Sequence, residues 1–256
     1  MRFLELTMPL DHEYMADEIF PTATPFILSP EGRPDKGITL GTETGTCLTL
    51  PSQFAEYRKT ARLHEVALEK LALREAVVVN LPKEEGDELS PADIDVALTG
   101  AEFRSGDAVI LRTGWGDKDW YQRPGTNYML GTPHFSAEGA THLARQMQDR
   151  GSDLLLTDMA LIALPEKHLI PEWLPMAPRP EPWPSSRAGG YLRTYTPEKM
   201  ANDYAAALAL AGAGIMTVKR LVNCGAIQSS RIRIIVGPLK LVRGVGSTCR
   251  VVAIED

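Results

Sequence analysis

The order of apolar runs between residues 75 and 161 limits what this chain can fold into more than any other feature. The run 75-EAVVVNLP-82 is short, β-branched and closed by proline, which predicts a buried strand. In SPADIDVALTGAEF, Ser90 stands as an N-cap before Pro91, and the first helical turn is the place where a helix tolerates proline. A second strand is predicted at 107-DAVILRTGW-115, ended by Gly114. After a loop holding Pro124, Gly125 and Gly131 comes 136-SAEGATHLARQMQDRG-151. There Ser136 is the cap, Leu143 and Met147 keep helical spacing, and Gly151 is the stop. The strand 153-DLLLTDMAL-161 follows directly, and such alternation predicts an α/β domain.

The flanks read differently. Residues 1–60 are rich in Pro, Thr and Gly, with apolar pieces such as FLEL and TCLTL, so short strands and loops are expected. Residues 165–198 are dense in proline and carry Trp173, Trp183, Arg179, Arg187 and Arg193. A stretch this long without regular structure is usually a lid, a binding loop or a subunit contact. The alanine-rich 201-ANDYAAALALAGAG-214 predicts a helix running into glycines. The tail 230–256 predicts two strands joined at 244-GVG-246. The expected organisation is one domain over 1–256, with 165–198 as an insertion or lid within it.

Composition narrows the function. Hydrophobic residues make up 44% and charged residues 23%, ordinary values for a soluble globular protein. A net charge of −6 argues against a general nucleic-acid binder and gives no electrostatic reason to sit on an anionic membrane. No apolar run approaches the roughly 20 residues of a membrane-spanning helix. The start MRFLELTMPLDHEY has no apolar signal core. Cys47, Cys224 and Cys249 are widely spaced, with no CxxC pair, which suggests reduced thiols and a cytoplasmic location. No HExxH helix, dinucleotide fingerprint or P-loop is present.

The stretch 43-ETGTCLTLPSQF-54 carries the family resemblance together with several weaker matches in chain order. They are 8-MPLDHEYMADEIFP-21, 109-VILRTGW-115, the TDMAL segment with Asp158, 212-GAGIMTVKRLVN-223 and 236-VGPLKLVRGVGSTCR-250. The chain resembles the cyclase superfamily, which includes bacterial kynurenine formamidase, isatin hydrolase and polyketide ring cyclases. That family's loop reads H-x-G-T-H-x-D-x-P-x-H followed by Phe, of which Gly45, Thr46, Pro51 and Phe54 are kept. Glu43, Cys47, Thr49 and Gln53 stand where the resemblance implies metal ligands, and Ala207 and Lys219 stand at two later ones.

The resemblance implies a single cyclase-like domain of the swivelling β/α/β type, with a mixed sheet, flanking helices and the Pro-rich insertion. It also implies that Glu43, Cys47, Thr49, Gln53 and Lys219 line one pocket. A lysine ammonium opposes a divalent cation, so no cofactor is expected and the ancestral Zn or Mn site is expected to be lost. Glu43, Cys47 and Lys219 are the candidate catalytic residues: an acid or base, a nucleophile and an oxyanion stabiliser. Glu43 and Lys219 also fit a purely structural ion pair, and Cys47 a core residue.

Candidates for substrate binding are Thr49, Gln53, Asp11, His12, His134, Asp158, Arg179, Arg187 and Trp183. Arginines could hold a carboxylate in a bidentate fork, and tryptophan could roof an apolar pocket. The expected function is a metal-independent enzyme acting on a small carbonyl substrate by hydrolysis, lyase chemistry or ring closure. The alternatives are a non-catalytic small-molecule binder and a metal-dependent formamidase-like hydrolase with shifted ligands. The expected partners are the small-molecule substrate and further copies of the chain, as a dimer or tetramer, with no nucleic acid and no membrane.

Overall fold

The computed structural model describes residues 1–10, 24–26, 37–39, 41–118, 128, 131–163 and 204–256. In chain order the strands are β1 (Arg2–Glu5), β2 (Thr24–Phe26), β3 (Gly37–Thr39) and β4 (Cys47–Thr49). Then come β5 (Ala72–Asn80), β6 (Glu88–Leu89), β7 (Ala108–Arg112) and β8 (His134–Phe135). The last four are β9 (Leu154–Thr157), β10 (Met216–Lys219), β11 (Arg231–Pro238) and β12 (Gly246–Glu255). The helices are α1 (Pro91–Thr99), α2 (Ala137–Asp149) and α3 (Ala205–Gly212). The expected mixed α/β architecture with flanking helices is therefore present, and the insertion expected at 165–198 lies outside the described residues.

One sheet organises the molecule, in the order β1-β12-β11-β5-β7-β9-β10-β4. Its centre is parallel, β5 to β7 to β9 to β10, and its flanks are antiparallel. β12 pairs with β4 as well as with β11 and β1, so the sheet curls back on itself into a barrel-like form. β6 pairs with β8, and β2 with β3, as separate two-stranded pieces.

The apolar runs in the sequence have their reason in this arrangement. Ala76, Val78, Ala108, Ile110, Leu154 and Leu156 enter the core inside the barrel. Their alternate neighbours Val77, Val79, Val109, Leu111 and Leu155 pack outward with Leu143 and Met147 of α2 and Leu210 of α3. Strands buried on both faces need apolar residues at every position, not at every second one. The cap expectations hold as well. Ser90 accepts a hydrogen bond from the Asp93 amide, and Ser136 one from the Gly139 amide.

Two predicted strands are longer than the observed ones. β7 stops at Arg112 and β9 at Thr157, short of the predicted ends at Trp115 and Leu161. For β7 the cause is Asp158. Its carboxylate takes the amides of Thr113 and Gly114, which are then lost to the ladder.

Candidate functional site

The site forms where β10 meets β4. These antiparallel strands set Lys219 opposite Cys47, Val218 opposite Leu48 and Thr217 opposite Thr49. Side chains alternate between the faces of a sheet, so Val218 and Leu48 enter the barrel core while Lys219, Cys47 and Thr49 share the other face. Ahead of β4 the chain makes a turn closed by the Thr44 amide on the Gly41 carbonyl, at 3.2 Å. Gly45 in this turn has φ +62°, a left-handed conformation that glycine adopts without strain. The turn carries Glu43 back over the strand.

Glu43 Oε1 lies 3.4 Å from Lys219 Nζ and accepts a hydrogen bond from Thr49 Oγ1 at 3.1 Å. The Gln53 side chain also hydrogen-bonds to the Glu43 carboxylate. The Lys219 side chain is 9% exposed and that of Glu43 is 21% exposed, while Gln53 is open to solvent. The pair thus faces water along one side. The Lys219 ammonium, set against the cost of burial and helped by Arg220, Gln53 and Thr49, draws the Glu43 carboxyl from 4.5 down to about 2. Glu43 is a carboxylate at neutral pH. Sequence reasoning left this direction open.

Four of the five residues expected in one pocket are joined here by side-chain contacts: Glu43, Thr49, Gln53 and Lys219. The fifth, Cys47, is the strand partner of Lys219 and is fully buried. Ala207, at a position where the resemblance implies a ligand, lies partly buried on α3 against the outer core. Of the six positions only Glu43 and Cys47 offer side chains that commonly bind a divalent metal.

Arg220 was not singled out from the sequence. It is 2% exposed and has φ +63°, unusual for a residue with a side chain. Its guanidinium donates to the carbonyls of Glu43, of Gly45 at 3.4 Å and of Ala160 at 3.2 Å. Its own carbonyl accepts from Thr46 Oγ1 at 2.6 Å, and Thr46 Oγ1 in turn accepts from the Met8 amide at 2.8 Å. The kept Gly45-Thr46 pair is thereby explained: one residue makes the turn and the next ties it to β10 and to the N-terminal segment.

Asp158 is fully buried. It accepts from the Thr113 amide at 2.9 Å, Thr113 Oγ1 at 2.8 Å and the Gly114 amide at 2.7 Å. Burial pushes its carboxyl up against these three bonds, which pull it down. Beside it, Trp115 stacks on Tyr128 with ring centroids 6.0 Å apart. The Tyr128 hydroxyl is buried and has no hydrogen-bond partner among the described residues.

His134 lies on β8 opposite Glu88, half-buried, with its ring pushed towards the neutral form by burial. Burial likewise pushes the Cys224 and Cys249 thiols up, in keeping with packing roles. His142 pairs with Asp95 at 2.6 Å near the protein surface. Asp11, His12, Arg179, Trp183 and Arg187 lie outside the described residues.

The Cyclase family model, described as "Putative cyclase", matches residues 4–159, which include the 43–54 loop and Asp158. The chain belongs to the Cyclase family. Solved structures of this fold cover nearly all of it. Isatin hydrolase A from Labrenzia aggregata, bound to benzyl benzoate, has a TM-score of 0.66 and 20% identity over 99% of this chain and 93% of its own. An isatin hydrolase bound to the product analogue thioisatinate has a TM-score of 0.68 and 14% identity over 99% of this chain and 92% of its own. A "predicted metal-dependent hydrolase" from Bacillus stearothermophilus has a TM-score of 0.63 and 16% identity over 100% of this chain and 98% of its own. At these identities the likeness is one of fold. No curated protein matches the chain by sequence. Among the described residues, no helix of this Cyclase-family chain is long and apolar enough to cross a membrane.

Proposed function

We propose that this Cyclase-family chain is a small-molecule enzyme of hydrolase or cyclase type that acts on a carbonyl substrate without a metal, using the Glu43–Lys219 pair. The observation that carries the reading is the ammonium of Lys219 standing 3.4 Å from the Glu43 carboxylate. A divalent metal does not fit that donor set. It would face a fixed positive charge, with Glu43 and Cys47 as its only usual ligands among the six positions.

In this reading Lys219 is the electrophilic group. Its ammonium carries three N–H donors and can turn one towards the oxygen of a substrate carbonyl, where negative charge builds in the transition state. Glu43 holds the lysine side chain in place. A carboxyl held at about 2 is a weak base at neutral pH. As Lys219 comes to be shared with the oxyanion, its pull on Glu43 weakens and the carboxylate becomes a better proton acceptor. The two halves of the pair then act in sequence, with Thr49 and Gln53 fixing the carboxylate. Cys47, fully buried, is assigned to the packing beneath them. The relatives' activity on isatin makes lactams, small amides and their ring-opened acids the first compounds to screen.

The test is turnover of such a panel by the purified protein before and after treatment with a chelator, alongside Glu43→Gln and Lys219→Met. Activity should survive the chelator and fall by about 100-fold or more in both variants while they stay folded. Loss of activity to the chelator and its return with Zn or Mn would refute the proposal.

A further inference from the structure

We propose that Arg220 is a positioning residue for the Glu43–Lys219 pair, its guanidinium gripping the Glu43 backbone so that the carboxylate faces the ammonium. This rests on the reading of that pair as the working site. Three sets of contacts carry it. Lys219 and Arg220 are consecutive, so the end of β10 delivers one cation to the Glu43 carboxylate and the other to the Glu43 carbonyl. The same guanidinium reaches the carbonyls of Gly45 and Ala160, on two different loops. The Arg220 main chain is itself fixed, by its amide on the Met159 carbonyl at 3.0 Å and its carbonyl under Thr46 Oγ1.

A planar fork of five donors can span carbonyls that a single ammonium cannot reach together. The left-handed backbone at Arg220 departs from regular strand geometry, which would send consecutive side chains to opposite faces of the sheet, and both side chains reach Glu43. An unusual backbone conformation persists where surrounding contacts over-determine it.

The experiment reads Glu43 itself. Protein labelled with ¹³C at the glutamate side-chain carboxyl is compared as wild type, Arg220→Lys and Thr248→Val, with the Glu43 resonance assigned from its absence in Glu43→Gln. Thr248 Oγ1 supports the same turn from another side, donating to the Thr44 carbonyl at 2.9 Å. Arg220→Lys keeps the charge and loses the fork. Its Glu43 resonance is expected to move towards that of free glutamate and to broaden, while Thr248→Val lowers the melting temperature and leaves the resonance in place.

An unmoved resonance in Arg220→Lys would overturn the proposal. So would an equal shift in Thr248→Val, or failure of Arg220→Lys to fold, because each makes the arginine an ordinary support of the fold. The measurement needs no substrate. Full turnover by Glu43→Gln would sink the catalytic reading separately, without bearing on whether Arg220 holds the carboxylate.

Discussion

Lys219 and Glu43 are tied together by charge in a site that water only partly reaches, and this fixes how the protein should respond to acid. The folded value of Glu43, about 2, lies below the ordinary 4.5. Its contribution to stability is therefore complete above about pH 4.5 and is lost as pH falls towards about 2. Lys219→Met should cost about 2 kcal/mol at pH 7, between the small value of surface pairs and the larger cost of breaking buried ones. The gap between wild type and variant should narrow as pH falls through that window, which chemical denaturation at several pH values will measure. Asp158→Ala should cost more, about 3 kcal/mol in the same assay. It strands the Thr113 amide, the Thr113 hydroxyl and the Gly114 amide in the interior. The polar replacements at Glu43, Thr49 and Gln53 were legible as one cluster with Lys219 because the family resemblance placed the 43–54 loop and the 212–223 segment at one site. Arg220 was not, since nothing local to a basic residue announces burial or a left-handed backbone.

Among the elements, strand centres were readable and strand ends were not. A run of β-branched residues marks where a sheet is buried on both faces; β7 and β9 lie within their predicted spans, while β5 begins earlier than predicted, at Ala72. The end of β7 depends on the Asp158 carboxylate, far away in sequence, which no local pattern reveals. Gly116 shows the same dependence at close range. A Cβ built there would stand 2.1 Å from the Leu221 carbonyl oxygen and 3.0 Å from Asp158 Cβ. Gly116→Ala should accordingly destabilise the protein by about 2–3 kcal/mol, read as a shift in denaturation midpoint. At the start of α2, Ser136→Ala removes the acceptor for the Gly139 amide at 2.8 Å and should cost about 1 kcal/mol in the same measurement.

For the whole molecule, strand–helix alternation gave the class of fold, but the closure of the sheet was hidden. β4 and β12 lie at distant parts of the chain, and their pairing brings Thr248 opposite Cys47 and Gly246 opposite Thr49. β4 pairs with β10 on its other edge, which sets the 41–46 turn, and with it the carboxylate, against the ammonium. Thr248 of β12 supports the turn from the far side. The account stands or falls on whether this pair has taken the place of a metal. The most direct test is elemental analysis of the wild-type chain, produced in medium supplemented with Zn and Mn and purified without chelator. The account predicts close to zero metal per chain; about one tightly held metal per chain would contradict it.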